Sequence, residues 1–287
     1  MSAQTPDIEF RDVEIHGHRG ARGLRPENTL AAFRMALSLG VTAIELDVVM
    51  AGDGEVIVSH EPWFHAVTCS FPDGRPVRRW HQRRYRIFEM TTAEVQRFDC
   101  GARAHPQFPE QVPVPSYKPR LEEVVRRAEA FAATRARPAP RYSIEVKSRL
   151  QWEGRYHPGP EVFVKALHRV LQAAGVMERS SILSFDYRIL QAARALSSAW
   201  ALNMLAGRFP RRSLEQRLAA LGFTPDILGP DHRLVTAAVV QRAHAEGMRV
   251  VPWTVNAPER MQALVAMGVD GITTDYPDRA VALFREP

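Results

Sequence analysis

Cysteine is nearly absent from this 287-residue chain, which contains only Cys69 and Cys100. Two cysteines in separate loops form neither a disulfide framework nor a spaced set of metal ligands. The two could pair, because both lie in one irregular segment, but we expect two free thiols in a reducing compartment. We therefore predict a cytoplasmic location.

Long apolar runs are missing as well. The sequence has no stretch of about 18 apolar residues, so no transmembrane helix is predicted. The first ten residues, MSAQTPDIEF, contain neither the basic nor the apolar region of a signal peptide, so none is expected. No Gly-x-Gly-x-x-Gly motif follows the first predicted strand, which argues against a dinucleotide-binding fold.

Acidic residues are fewer than basic ones, so the formal net charge is +6 and the pI is about 9.7. Residues 61–120 contain ten basic and six acidic residues, so most of this excess lies there. No basic run interleaved with aromatics is recognised elsewhere, so we expect no nucleic-acid partner. We expect the basic segment to form a solvated lid, and contact with an anionic membrane is the alternative.

The chain does contain a regular alternation of short apolar strands and amphipathic helices. Predicted strands cover residues 13–18, 41–50, 55–59, 142–147, 181–185, 201–205, 226–229, 248–254 and 271–274. Predicted helices cover residues 30–39, 92–98, 121–134, 160–174, 187–196, 213–221, 236–246, 258–267 and 277–284. Asn28 or Thr29 is the expected N-cap of the first helix.

The turn signal Asp53-Gly54 joins the second and third strands into a hairpin, which leaves eight strand–helix units. Eight such units predict an α/β fold, a (β/α)8 TIM barrel, with an open doubly wound sheet as the alternative. Residues 61–119 are rich in proline and arginine and interrupt the alternation. We interpret them as an irregular insertion after the second-strand hairpin, within a single domain covering residues 1–287.

Polar side chains stand at the carboxyl ends of the predicted strands, where TIM barrels carry their active sites. Glu45 and Asp47 are two residues apart on one strand and therefore point to the same face. Glu145 lies on the next strand of the predicted barrel. Three converging carboxylates repel one another unless a cation lies between them, and oxygen ligands select Mg²⁺ or Ca²⁺. We predict a site for one divalent cation at Glu45, Asp47 and Glu145.

Two histidines flank this predicted metal site. His18 ends the first strand, and His60 ends the returning arm of the hairpin, level with Glu45. Imidazoles titrate near neutral pH, so this pair suits general acid–base catalysis. Arg19 and Lys147 add fixed positive charge of the kind that binds phosphate. A metal site with these four residues predicts phosphoryl chemistry.

These motifs resemble those of the glycerophosphodiester phosphodiesterase family. The resemblance covers HRG, PENT, ELDV, DGEVIVSHE, IEVKS, SFD, VVPWTVN and GVDGITTDYPD, in that order, from Ile15 to Asp278. It implies a TIM barrel with catalytic histidines, metal-binding acidic residues and phosphate contacts at the positions just named. It also implies that Trp253 lines the substrate pocket. Glu61 stands where many members have aspartate.

The resemblance implies metal-dependent hydrolysis of a small-molecule glycerophosphodiester to glycerol 3-phosphate and an alcohol. One histidine would act as the general base and the other as the general acid, in either order. Two alternatives stay open: a phospholipase-type enzyme acting on intact lipid at a membrane surface, and a non-catalytic phosphodiester-binding barrel. For Ser184 and Asp186, two roles remain open: contact with the substrate, or a structural role at the barrel rim. The oligomeric state is not predicted.

Overall fold

A computed structural model describes residues 13–285 of the chain. The first ten residues, in which no signal peptide is expected, lie outside the described residues. Within the described part of the chain, none of the helices combines the length and apolarity needed to cross a membrane.

Eight parallel strands form a barrel, and a ninth strand is attached to its side. The strands are β1 (Glu14–Gly17), β2 (Ala43–Met50), β3 (Val56–Val58), β4 (Arg141–Val146), β5 (Ser180–Ser184), β6 (Ala201–Ala206), β7 (Ile227–Pro230), β8 (Arg249–Val250) and β9 (Gly271–Thr274). Parallel pairing runs β8-β7-β6-β5-β4-β2-β1-β9. Backbone hydrogen bonds from Asp270 to Val250 and from Thr273 to Pro252, both 2.9 Å, join the two ends of this order. The predicted TIM barrel is confirmed.

The helices α1 and α3–α9 alternate with the strands. They are α1 (Leu30–Leu39), α2 (Thr92–Val95), α3 (Leu121–Thr134), α4 (Pro160–Ala173), α5 (Tyr187–Leu196), α6 (Leu214–Leu221), α7 (Ala237–Ala245), α8 (Pro258–Ala266) and α9 (Pro277–Phe284). The N-cap of α1 is Thr29, whose hydroxyl accepts from the Ala32 amide, and Gly40 ends the helix in the left-handed conformation. Apolar faces of the helices pack on β-strands whose side chains are almost all buried, as in β2.

At the amino ends of the strands, ion pairs around Glu14 join three strands. Its carboxylate lies 2.8 Å from Arg249, 3.0 Å from His16 and 3.7 Å from Arg141. Burial disfavours the charged form of Glu14, but His16 and Arg249 outweigh this effect and lower its pKa to about 2. His16, which is not among the predicted site residues, also hydrogen-bonds to Ser143 inside the barrel at 2.9 Å.

Strand β3 pairs antiparallel with β2, as predicted, and leads into residues 61–119. This segment contains α2 and short 3₁₀ turns at Gln82–Arg84 and Ile87–Glu89. It builds its own small hydrophobic core against β2 and β3, made of Val49, Ala51, Ile57, Phe64, Cys69, Val77, Ile87, Val95, Phe98 and Cys100. The segment is therefore packed against the barrel, although most of it is irregular.

The two cysteines form a disulfide bond, so the prediction of free thiols is wrong. Reciprocal backbone hydrogen bonds between Ser70 and Asp99, at 2.7 and 3.2 Å, place the adjacent Cys69 and Cys100 side by side with their Cα atoms 3.9 Å apart. This bridge between chain segments 31 residues apart has no signature in the local sequence.

Candidate active site

A cavity of about 210 Å³ opens at the carboxyl ends of the barrel strands. Seven of the eight predicted site residues line it: His18, Arg19, Glu45, His60, Glu145, Lys147 and Trp253. The eighth, Asp47, lies just behind the wall with no exposed surface. The barrel therefore brings together residues that are up to 235 positions apart in the chain.

The three predicted metal ligands form one acidic cluster. Asp47 on β2 stands in register with Glu145 on β4, and Glu45 points the same way two residues earlier. One carboxylate oxygen from each residue lies within 4.8 Å of the others, so the cluster could hold a metal ion. Burial raises the pKa of Glu45 well above its ordinary value, and the charges of Asp47 and Glu145 raise it further. An all-oxygen donor set under such mutual repulsion fits a hard cation.

Asp47 is held by three side chains. The Lys147 ammonium lies 2.8 Å from one of its oxygens, and the Arg19 guanidinium lies 3.1 Å from the other. Burial opposes ionisation of Asp47, but Lys147 and Arg19 outweigh it and keep the pKa of this carboxyl well below its ordinary value. Asn28 donates from its amide to Asp47 at 2.8 Å and accepts from the Asp47 backbone amide at 3.2 Å. Asp47 is thus ionised and fixed in orientation.

A tight turn after β1 aims Arg19 into the site. Arg19 has a φ of 49° and Gly20 a φ of 87°. A Cβ on Gly20 would lie 2.6 Å from the Ala32 carbonyl carbon, so the turn requires glycine there. In this conformation the Arg19 backbone amide donates to Glu45 Oε2 at 2.8 Å. The guanidinium groups of Arg19 and Arg22 share Glu27, at 2.9 and 2.6 Å.

His18 is oriented by an acidic residue from the far end of the chain. Its Nδ1 lies 2.6 Å from Asp275 Oδ1, at the end of β9, and Asn256 donates to the other Asp275 oxygen at 2.8 Å. Nε2 is on the other side of the ring, 4.0 Å from Glu45. Burial lowers the pKa of His18, and Asp275 opposes this shift. A carboxylate-bound imidazole with its second nitrogen directed at the cavity can transfer protons there.

His60 is held in a similar way from the hairpin side. Its Nδ1 lies 2.7 Å from Glu61 Oε1. Burial disfavours a charged Glu61, but His60 outweighs it and lowers the pKa of Glu61 to about 2. Ser59 anchors the arm, because its backbone amide donates to the Asp47 carbonyl at 2.9 Å and its hydroxyl to the Glu61 carbonyl at 2.6 Å. The buried Lys118 ammonium donates to the Ser59 hydroxyl at 2.7 Å.

The side of the cavity away from the acidic cluster is aromatic. The Trp253 indole donates to the Gly229 carbonyl at 2.8 Å and meets Phe185 edge to face, with ring centroids 5.5 Å apart. Ser184 and Asp186, on either side of Phe185, bind within the protein instead. The Ser184 hydroxyl donates to the Val146 carbonyl, and Asp186 caps α5 and accepts from Ser148. These hydrogen bonds favour a structural role for both residues at the barrel rim.

Comparison with known proteins identifies one matching family. The sequence profile of the glycerophosphoryl diester phosphodiesterase family matches residues 18–279, nearly the whole barrel. The chain belongs to this family. It is therefore an enzyme that hydrolyses phosphoric diesters, as the sequence predicts.

Several family relatives cover the chain almost end to end. A Bacillus altitudinis protein named glycerophosphodiester phosphodiesterase is 30% identical over 279 residues, which cover 96% of this chain and 99% of the relative. A crystal structure from Silicibacter pomeroyi, provisionally assigned to the family, superimposes with a TM-score of 0.85 at 30% identity and covers 96% of this chain and 95% of its own. An Oleispira antarctica phosphodiesterase has a TM-score of 0.73 at 22% identity, covers 95% of this chain and 97% of its own, and contains the product sn-glycerol-3-phosphate.

The sequence predicts most of the residues that line the cavity of this enzyme. It does not predict the residues that hydrogen-bond to those side chains and fix their orientation. Asp275, Asn256 and Glu27 are not among the predicted site residues. Asn28 was expected as a possible helix cap, yet it binds Asp47 at 2.8 Å. Their position was the available signal, because Asp275 directly follows the strand predicted over residues 271–274 and Asn256 lies two residues after the strand predicted over residues 248–254.

Proposed function

We propose that the chain hydrolyses soluble glycerophosphodiesters to glycerol 3-phosphate and an alcohol, with His18 and His60 as the general acid and base. The observation that carries this proposal is the pair of carboxylate-bound imidazoles beside one acidic cluster in a single cavity. Family membership and the product bound in the Oleispira antarctica enzyme support the same substrate class.

A divalent cation, Mg²⁺ or Ca²⁺, is part of this proposal, with Glu45, Asp47 and Glu145 as its ligands. The three carboxylates fit a hard cation by donor type and by the repulsion that raises the pKa of Glu45. When bound, the cation would lower the pKa of the attacking hydroxyl group and offset phosphate charge.

The protein's own side chains then have separate tasks. Arg19 and Lys147, both in ion pairs with Asp47, provide fixed positive charge for the phosphate oxygens. One histidine takes the proton of the attacking hydroxyl group, which belongs to water or to the substrate's glycerol, and the other donates a proton to the leaving alcohol. Attack by water releases glycerol 3-phosphate directly, and attack by the glycerol hydroxyl forms a cyclic phosphate ester that water then opens to glycerol 3-phosphate. Trp253, with Phe185, forms an apolar wall for the carbon skeleton of the substrate.

The test is turnover of purified variants with a panel of soluble glycerophosphodiesters, after chelation and re-addition of single metals. We expect His18→Ala and His60→Ala each to lower kcat by at least about 10²-fold, because each removes one proton-transfer group. His168→Ala is a matched control, since this histidine contacts Trp200 on the helix side of the barrel. Near-normal activity of either site variant would refute its catalytic role. Turnover of intact phospholipid in preference to soluble diesters would favour the phospholipase alternative.

Two further assignments accompany this proposal. We take residues 1–287 as one phosphodiesterase domain, with residues 61–119 as an insertion within it. A cytoplasmic location stays a prediction, and the disulfide between Cys69 and Cys100 removes one of the observations on which it rested.

A further inference from the structure

The insertion carries a strongly basic loop with an exposed tryptophan. Residues 71–86 contain six arginines and one aspartate, a formal charge of +5 in a chain whose total is +6. Five of the arginines are exposed: Arg75, Arg78, Arg79, Arg83 and Arg84. Among them, Trp80 is 90% exposed, the most exposed large hydrophobic side chain in the described part of the protein. A solvated lid gains nothing from an indole held fully in water.

A second loop repeats this composition. Residues 207–213 connect β6 to α6 and contain Phe209, which is 75% exposed. Three exposed arginines surround it, namely Arg208, Arg211 and Arg212. Our sequence prediction that arginines interleaved with an aromatic do not recur is therefore wrong. Two loops far apart in the chain carry the same unusual pairing of exposed aromatic and exposed arginines.

Both loops contact residues that line the catalytic cavity or lie close to its lining in the chain. In the insertion, the Arg83 guanidinium lies 5.1 Å from the centre of the Trp63 ring, three residues after His60. The other loop follows β6 at its carboxyl end, and a Cβ on Gly207 would lie 3.6 Å from the Phe185 ring, which lines the cavity. Both loops therefore approach the carboxyl end of the barrel, where the cavity opens.

We propose that these two loops dock the mouth of the barrel onto an anionic phospholipid bilayer. Arginines near a membrane surface are attracted by anionic headgroups, and aromatic side chains are favoured at the boundary between headgroups and acyl chains. The combination of both in each loop fits a bilayer better than nucleic acid, which stacks bases on aromatics along a continuous basic groove. The proposal does not depend on turnover, because it concerns surface residues outside the cavity.

Vesicle sedimentation tests the docking directly. The full chain is mixed at low salt with vesicles of phosphatidylcholine alone or of phosphatidylcholine with phosphatidylglycerol. We expect binding to the anionic vesicles only, and weakening with added salt. Trp80→Ala and Phe209→Ala should each reduce the bound fraction. Arg78→Gln with Arg79→Gln should weaken binding by about tenfold or more, since each arginine near an anionic surface contributes about fivefold.

The matched control removes the same charge elsewhere. Arg126 and Arg127 are exposed on α3, on the flank of the barrel, so their double change to Gln should leave vesicle binding within about twofold. Equal losses in the two double variants would overturn the proposal in favour of a general charge effect. Tighter binding to a single-stranded oligonucleotide than to anionic vesicles would overturn it in favour of nucleic acid. Activity on a soluble glycerophosphodiester should be unchanged in every loop variant, which separates this test from that of the proposed reaction.

Discussion

Asp275→Asn should disable His18 while preserving the shape of the site. In the protein, a carboxylate accepts from His18 Nδ1 at 2.6 Å and from Asn256 at 2.8 Å, so the proton is fixed on Nδ1 and Nε2 is free. An amide at position 275 has only one accepting atom. If the amide oxygen keeps the bond to Asn256, the NH₂ group of the new side chain faces His18 Nδ1. The proton of His18 must then move to Nε2. The imidazole then presents the wrong nitrogen to the cavity.

The expected loss in kcat is about 10²–10⁴-fold, which corresponds to about 3–5 kcal/mol of transition-state stabilisation. The pH dependence of kcat/KM in this variant shows whether His18 acts as the general base or as the general acid. Burial already lowers its pKa, and Asp275 is the main opposing influence, so removing this charge lowers the pKa further. If His18 is the base, the acidic limb of the kcat/KM profile moves to lower pH. If it is the acid, the basic limb moves to lower pH.

The assay is the initial rate of glycerol 3-phosphate release across the pH range, with Asp270→Asn as the control. Asp270 makes a similar bond to His244 at 2.8 Å, but at the amino end of β9, away from the cavity. The control should keep near-normal kcat. A kcat for Asp275→Asn within about threefold of the original, or equal losses in both variants, would refute the orienting role argued from the geometry.

Other predictions concern stability and are checked by urea or thermal unfolding. Asn28→Ala should lower the free energy of unfolding by about 2–4 kcal/mol, because it leaves the buried Asp47 backbone amide without an acceptor and places alanine at a φ of 57°. Asn28→Gly should cost about 1 kcal/mol less, because glycine relieves the backbone strain but does not restore the hydrogen bond. Equal costs for the two variants would contradict this account. Glu14→Gln should cost about 2–3 kcal/mol at neutral pH. The pKa of Glu14 falls from 4.5 to about 2 on folding, so the difference in free energy of unfolding between the original protein and the variant should be complete above pH 4.5 and vanish as the pH falls toward 2. A difference that stays constant across that pH range would contradict this prediction. Replacement of Cys69 and Cys100 by Ser, or reduction of the disulfide bond, should lower the free energy of unfolding by up to about 3–4 kcal/mol, because the bond closes a loop across a 31-residue separation. An unchanged unfolding midpoint would show that the bond does not constrain the unfolded chain.

Periodicity in the sequence was sufficient to predict the barrel, because each element shows its own local pattern. The bounds of α3, α5 and α9 agree with the predicted residues, and their apolar faces repeat at helical spacing. The strand predicted over residues 248–254 is reduced to Arg249–Val250. Pro252 has no amide hydrogen to donate to a neighbouring strand, although its carbonyl still accepts from Thr273.

The candidate site was predictable where its residues share a strand or a hairpin. Glu45 and Asp47 are two residues apart on β2, and β3 returns His60 to the same level. Contacts that depend on barrel closure were not predictable in this way. The partner of His18 lies 257 residues away, and the partner of Cys69 lies 31 residues away. Neither separation leaves a periodic pattern in the chain, so only the folded structure reveals these pairs.

The hydrogen bond between His18 and Asp275 joins the first strand of the barrel to the last. During synthesis on the ribosome, β1 emerges early, but Asp275, the partner of His18, emerges only after β9 has been translated. An incomplete chain therefore holds most of the cavity lining without an oriented His18. Under the proposed mechanism, such a chain would stay inactive until the closing strand has been translated, so that activity would depend on completion of the barrel.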